Sequence, residues 1–363
     1  MHAAVLRAPR TPLVVEELEQ SPPQAGEVLC RIGAAGVCAS DHHVMHGTAV
    51  VPLPCVLGHE GAGTIEAVGP GVTSVRPGDR CILSFVSSCG RCRQCRSGSP
   101  QLCDTHALTG ARQFDGTTRL RDAHGVEVFQ MSKIGVFSDY IIAPELACFP
   151  IPDEVPMEVA ALMGCSIPTG YGTVINAPGV RPGMTVAVFG VGGVGLNAVQ
   201  AARILHASRV IAVDIAESKL EFATRFGATD RVDAGATDPV EAIRDLTGGG
   251  VDFAFDTFGS PITTRQAVDS LGKNGVAVIA GLAALEETAE INLVELVRMQ
   301  KRIAGAYYGN ASPHESFRTV VDLYLRGDLL GDELVQRRYP LEQINEGFAA
   351  LERGENGRGV IVF

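Results

Sequence analysis

The chain has 363 residues, 30 basic and 41 acidic side chains, 42 glycines, ten cysteines and no tryptophan. Its length suggests two domains, because one hydrophobic core rarely grows past about 250–300 residues, and a hydrophobic content of 46% excludes a chain too polar to fold. A net charge of −11 argues against a general phosphate-backbone binder, so no nucleic-acid partner is expected.

The first part alternates short apolar runs with Gly/Pro turns. Glu27–Ile32, Gly63–Val68 and Arg80–Leu83 read as strands, separated by turn signals such as Gly69-Pro70-Gly71 and Arg76-Pro77-Gly78-Asp79. That pattern predicts a β-rich, barrel-like domain. After Ile151-Pro152 the period changes. Thr185–Phe189, Arg209–Asp214, Val251–Asp256 and Gly275–Ala280 read as buried parallel strands, with helices over Leu196–Leu205, Glu217–Phe226, Pro239–Leu246 and Thr263–Leu271. The alternation predicts a doubly wound α/β sheet. A helix near Pro313–Arg326 and a strand over Gly359–Phe363 close the chain.

Met184–Ala202 carries no charge and approaches the length of a membrane span. The glycines at its centre favour a buried strand, a tight turn and a buried helix, and no membrane association is expected. No secretory leader pattern is legible, so a reducing cytoplasm is the expected compartment and disulfides are disfavoured. Metal binding is then the first use to consider for the cysteines.

Cys89-x-x-Cys92-x-x-Cys95-x7-Cys103 offers four soft ligands in a polar segment that also carries Arg91, Arg93 and Arg96. The spacing suits a closed, structural zinc site. An iron–sulfur cluster is the main rival, and a nucleic-acid-binding zinc module is the reading that overall acidity opposes. Gly190-Val191-Gly192-Gly193-Val194-Gly195 follows a predicted strand and opens a predicted helix. Asp214 ends the next strand, about 20 residues on, as a ribose-binding acid does. Gly190 permits the tight turn, Gly192 lets a pyrophosphate approach the backbone, and Gly195 permits close helix–strand packing. The Asp214 carboxylate accepts ribose hydroxyls and repels a 2′-phosphate, which favours NAD over NADP.

Two further clusters, Cys38-Ala39-Ser40-Asp41-His42-His43 and Gly58-His59-Glu60, and the isolated Cys165 have no spacing that proves zinc. Taken together and in order, however, these pieces, Thr169-Gly170-Tyr171-Gly172, the Gly-rich turn and Gly357-Arg358 resemble the zinc-dependent medium-chain alcohol dehydrogenases, in their longer, animal-type branch. The resemblance covers essentially the whole chain. It implies a GroES-like catalytic domain over 1–167 and 308–363 and a Rossmann NAD-binding domain over 168–307. It implies two zinc ions per chain, one open, catalytic ion on Cys38, His59 and Cys165, with Glu60 beside it and Asp41 behind His59, and one on the four-cysteine lobe. Cys30, Cys55, Cys81 and Cys148 are left as small buried hydrophobes.

The same resemblance implies oxidation of an alcohol to an aldehyde with hydride transfer to NAD, and proton release from the Ser40 hydroxyl through the nicotinamide ribose to His43. Thr169 and Val194 then position the nicotinamide, Lys219 the adenosine ribose and Arg358 the pyrophosphate, while His42 and His46 are surface residues. A homodimer or homotetramer is implied. Ala39 stands where many relatives carry a basic residue, which weakens one contact to NAD. Ser40, Ala49 and Phe85 outline a pocket for a branched, long-chain or aryl primary alcohol, with Ala111–Phe137 at its rim or supporting a subunit interface. Oxidation of an S-hydroxymethyl thiol adduct of formaldehyde is the second reading, disfavoured by uncharged Thr48, Ala49, Val50 and Ala107. A zinc-stapled NAD-binding protein without catalysis is the third.

Overall fold

The computed structural model describes every residue except Pro178. The chain divides into two compact units: Met1–Cys165 with Ser312–Gly327 and Gly331–Phe363, and Ser166–Ala311 with Asp328–Leu330. The divisions lie a few residues from those implied by resemblance, for local reasons. The helix Ser166–Ile175 packs along Gly193–Ile204, where a Cβ on Gly170 would collide with the Val194 carbonyl. Asn176 Nδ2 donates to the Gly309 carbonyl at 2.6 Å. Gln200 bonds Leu330 through both its amide atoms, accepting from the backbone N–H at 2.7 Å and donating to the carbonyl at 3.1 Å.

The first unit is built from two sheets. One runs in the order Cys148–Pro150, Arg80–Leu83, Glu60–Val68, Glu27–Gly36, Arg358–Val362 and Val335–Tyr339, and Tyr140–Pro144 also pairs with Glu27–Gly36. Along Glu27–Gly36 the alternation sends Val28, Cys30 and Ile32 into a core shared with Leu57, Ile65, Leu83, Phe137 and Phe348. The tail returns to this sheet, with Val360 opposite Gly36. Cys30, Cys55, Cys81 and Cys148 are all buried, as expected of small hydrophobes.

The second sheet holds Val14–Glu17, His2–Leu6, Cys55–Val56, Glu127–Gln130, Leu120–Arg121 and Glu19–Gln20. The segment Ala111–Phe137 supplies two strands of this sheet. It is anchored by Arg119, whose buried guanidinium donates to Glu27 at 2.6 and 2.9 Å and to Asp115 at 2.7 Å.

The second unit is a parallel sheet in the order Asp230–Asp233, Arg209–Asp214, Thr185–Phe189, Val251–Asp256, Leu271–Ile279 and Arg302–Gly305. The strand order reverses beside Thr185–Phe189, the crevice where doubly wound folds bind ligands. Three of the predicted strands have the expected bounds. The fourth begins earlier, at Leu271, because that residue pairs with Val251 before the register shifts. The outer strands Asp230–Asp233 and Arg302–Gly305 escape a hydrophobic reading because they are short and carry charge at the sheet edge. The uncharged stretch Met184–Ala202 splits into strand, turn and helix, and among the described residues no helix is long and apolar enough to cross a membrane.

Candidate active site

Cys38 stands immediately before the helix Ala39–Met45, at the end of the loop after Glu27–Gly36. His59 immediately precedes the strand Glu60–Val68, which Glu60 opens, and Cys165 follows the helix Met157–Leu162. The fold brings these four together: one ligand atom from each lies within 4.8 Å of all the others. His59 Nδ1 is 3.0 Å from Asp41 Oδ1, which also accepts the Gly58 N–H at 3.0 Å. A metal-ligating histidine is oriented this way, with one ring nitrogen held by a carboxylate and the other left to the ion. Asp41 is completely buried. Phe85 sets its ring edge-on to His59, with centroids 5.4 Å apart.

Burial disfavours charge throughout this cluster, yet opposing charges win at several positions. The hydrogen bond from Cys165 holds Cys38 well below the usual thiol range, aided by His59 and Arg358. Burial pulls the His59 imidazole down, but Asp41 and Cys38 together raise it well above its ordinary value. Burial pushes Glu60 up to about 8 despite Arg358. Glu60 Oε2 accepts from the Arg358 guanidinium at 2.8 Å, while its Oε1 is buried and has no hydrogen-bond partner. A thiolate, a second thiol, an oriented imidazole and an orphaned carboxylate oxygen fit a borderline divalent cation such as zinc.

Arg358 is itself buried, and the same nitrogen donates to the Val37 carbonyl at 2.8 Å. The structure thus pairs it with Glu60, a contact that sequence reasoning missed. Ser40 and His43, three apart on the helix Ala39–Met45, are half-buried on neighbouring positions of one face. The His43 carbonyl accepts from the backbone N–H groups of Thr48 and Ala49 at 2.9 and 3.1 Å, tying the pocket position Ala49 to this helix.

In the lobe, Cys92 Sγ lies 3.5 Å from Cys95 Sγ and 3.9 Å from Cys103 Sγ. Zinc–sulfur bonds of about 2.3 Å in a tetrahedron place sulfurs roughly 3.8 Å apart, so these distances fit one ion. All four sulfurs lie within 4.8 Å of one another, tighter than thiolates spread over several irons. Backbone N–H groups of Cys89, Cys92, Cys95 and His106 point at the sulfurs at 3.3–3.5 Å, and the Thr105 hydroxyl at 3.2 Å. Burial raises the Cys89 thiol, but the Thr105 hydroxyl and the backbone N–H groups of Arg91 and Cys92 outweigh it and bring it to about 6.

Lys133 locks the lobe to the sheet behind it. Its side chain is fully buried, and Nζ donates to the carbonyls of His106 and Gly110 at 3.1 and 2.6 Å. Burial lowers its pKa to about 8. Lys133→Met is expected to leave both carbonyls unsatisfied and to cost about 1–3 kcal/mol, read as a lower denaturation midpoint.

At the Gly-rich turn, Gly190 has φ +82°, and a Cβ there would meet Phe258 Cβ at 2.9 Å. A Cβ on Gly195 would collide with the Gly190 carbonyl. Gly192 differs: its φ is −76° and a Cβ would meet no protein atom within 4 Å. The space beside the Gly192 backbone is therefore open. Asp214 accepts from Val191 N at 3.0 Å and from Ile215 and Ala216 N at 2.9 and 3.2 Å. A carboxylate has about four acceptor positions, so one remains for a ribose hydroxyl. Gly193 opens the helix Gly193–Ile204 and Lys219 is half-buried on Glu217–Thr224. Gly170, next in the chain to Thr169, closely approaches the Val194 carbonyl, and the Thr169 hydroxyl is buried without a partner. These features fit a dinucleotide. Ile215 and Phe258 are apolar but 77% and 65% exposed at strand ends.

Comparison with known proteins agrees with this geometry. Residues 24–153 match the alcohol dehydrogenase GroES-like domain and residues 193–326 the zinc-binding dehydrogenase family. An NDMA-dependent alcohol dehydrogenase of Amycolatopsis methanolica is 40% identical over 365 residues, covering 99% of this chain and 98% of that one. The benzyl alcohol dehydrogenase of Acinetobacter calcoaceticus superposes with a TM-score of 0.92 at 36% identity, covering 100% of this chain and 99% of that one. A zinc-binding-domain alcohol dehydrogenase of Burkholderia ambifaria gives a TM-score of 0.95 at 38% identity, over 100% and 98% of the two chains. The chain belongs to the zinc-binding medium-chain alcohol dehydrogenase family. Its two units are the GroES-like and Rossmann-like domains of that family.

Proposed function

We propose that this chain is a zinc-dependent oxidoreductase of the longer branch of its family, oxidising a primary aryl, branched or long-chain alcohol to an aldehyde with hydride transfer to NAD. The observation that carries the reading is the Cys38, His59 and Cys165 donor set, converging with His59 oriented by Asp41. When bound, zinc supplies Lewis acidity that lowers the pKa of an alcohol hydroxyl, and NAD accepts the hydride. Arg358 holds one oxygen of Glu60, leaving the other buried and unpaired within the cluster.

Ser40 takes the substrate proton and His43 passes it outward. Burial lowers the His43 imidazole below its usual value, so it is neutral and able to accept at neutral pH. Ser40→Ala is expected to slow single-turnover hydride transfer by about 10²-fold or more with little change in NAD affinity. An unchanged single-turnover rate would remove Ser40 from the relay.

The exposed backbone at Gly192 supports a pyrophosphate there, with Lys219 and Asp214 at the ribose, Thr169 and Val194 at the nicotinamide and Ile215 and Phe258 flanking the adenine. Gly192→Ala is expected to leave the denaturation midpoint within about 0.5 kcal/mol of wild type. It should weaken NAD binding by more than tenfold, read by titration of the intrinsic or NADH fluorescence. A similar loss of stability and affinity would make the glycine structural.

The name of the Amycolatopsis relative favours one refinement: NDMA as the electron acceptor that reoxidises NADH. The decisive experiment offers benzyl alcohol, hexanol, and formaldehyde with glutathione, reading NADH absorbance and NDMA reduction in parallel. Turnover of the two alcohols supports the proposal. Preference for the formaldehyde adduct would support the thiol-adduct reading, and binding of NAD with no turnover of any substrate the non-catalytic one.

We also propose a cytoplasmic homodimer or homotetramer. The edge strand Arg302–Gly305 and the exposed Leu293, Val294 and Val297 support association. Native mass will choose between the two assemblies.

A further inference from the structure

His42 and His46 gain a partner that the sequence did not suggest. They are four residues apart, on the helix Ala39–Met45 and its C-cap, so both rings leave the same face. Their centroids are 4.2 Å apart. His42 Nε2 lies 2.7 Å from Glu352 Oε1, and His46 Nε2 lies 3.2 Å from the same oxygen. Glu352 ends the helix Ile344–Glu352, so three donors from two helices meet at one point.

The chemistry of the trio is that of a metal site. Imidazole nitrogen and carboxylate oxygen bind zinc at about 2.0–2.2 Å, which sets neighbouring ligand atoms roughly 3.0–3.5 Å apart. The three atoms lie within 4.8 Å of one another, and the two imidazole–carboxylate distances, 2.7 and 3.2 Å, are near that spacing. Among the described residues Glu352 forms ion pairs with these two histidines and with no lysine or arginine, so no fixed cation competes for the position. The side chains are 25%, 49% and 50% exposed, which leaves room for waters to complete a coordination shell.

We propose that His42, His46 and Glu352 form a third metal site, taking a divalent transition ion with affinity for imidazole, such as Zn²⁺, Ni²⁺ or Cu²⁺. It has no thiolate and is open to solvent, so it binds more weakly than the two cysteine sites and exchanges freely. Two nitrogens select against Mg²⁺ and Ca²⁺, which prefer all-oxygen shells. The ion joins the helix carrying Ser40 and His43 to the helix that leads into the Arg358 strand. The site is independent of the proposed alcohol chemistry.

The test is calorimetric titration of Zn²⁺ into full-length protein that already holds its resident zinc, with Mg²⁺ in a parallel run. One additional Zn²⁺ per chain is expected, and no Mg²⁺. Glu352→Gln keeps the side-chain shape and should weaken the added zinc at least tenfold; His42→Ala/His46→Ala should abolish it. Cu²⁺ added to the same protein should show two nitrogen ligands in its electron paramagnetic resonance spectrum, lost in the double variant. Because Glu352→Gln is a mild surface change, failure of the double variant to fold leaves the test standing. No added zinc up to millimolar concentration, or equal affinity in wild type and Glu352→Gln, would overturn the proposal.

Discussion

Cys38→Ala is expected to remove one zinc per chain and at least about 10³-fold of kcat/KM while leaving the fold intact. The activity loss follows from the Lewis-acid contribution of several kcal/mol, at 1.36 kcal/mol per decade of rate. The intact fold follows from the position of Cys38. It precedes a helix without supplying a side-chain cap, and its backbone is extended. Truncating it removes a ligand and little else. His59→Ala is a less clean variant, because it strands the fully buried Asp41 carboxylate without its partner. Breaking such a pair costs about 3–5 kcal/mol, so loss of activity there mixes unfolding with loss of metal. Zinc counting by native mass spectrometry, thermal denaturation and steady-state kinetics on Cys38→Ala separate the two effects. Retained activity would remove Cys38 from the catalytic ligand set.

Cys95→Ala should do the opposite: local unfolding, with the other zinc retained. No residue of the helical turns Arg93–Arg96 and Asp104–Thr109 is fully buried, although His106 Nδ1 lies buried without a hydrogen-bond partner. Hydrophobic burial therefore contributes little to this lobe. On the proposed zinc site, ligation of four sulfurs orders it, with Cys92 and Cys103 also serving as N-caps of the two turns. Structural zinc in small modules contributes about 10–16 kcal/mol to folding, far more than the Lys133 anchor. Removing one ligand should open the lobe locally while the sheets behind it persist. Arg91, Arg93 and Arg96 are exposed, so trypsin should cut the variant at least tenfold faster there. Zinc should fall by one ion per chain. Unchanged trypsin resistance would mean that packing, and no metal, holds the lobe.

The features that were legible in the sequence are those written in consecutive residues. The Gly190–Gly195 turn and the four cysteines from Cys89 to Cys103 are short-range patterns, and the structure keeps each together. The buried strands Thr185–Phe189 and Arg209–Asp214 announce themselves as apolar runs with turns at their ends. Long-range pairings left no such mark. Glu60 and Arg358 are 298 positions apart, and His42 and Glu352 are 310 apart. Cys165 entered only through resemblance, because nothing around it states what it faces. Lys133 was silent for a different reason. A lysine in a polar-looking turn reads as solvated, and its burial depends on the positive φ of Ser132 and Lys133, which turns the side chain inward. The charged edge strands were lost because pairing, with little apolar content, defines them.

The most direct measurement is an anomalous difference map at the zinc edge from crystals of the wild-type protein. Two strong peaks per chain are predicted without added metal. One should lie among Cys89, Cys92, Cys95 and Cys103, and the other within bonding distance of Cys38, His59 and Cys165. A peak in the lobe alone, with Cys38, His59 and Cys165 bonded only to one another, would contradict the metal centre on which the proposed chemistry depends.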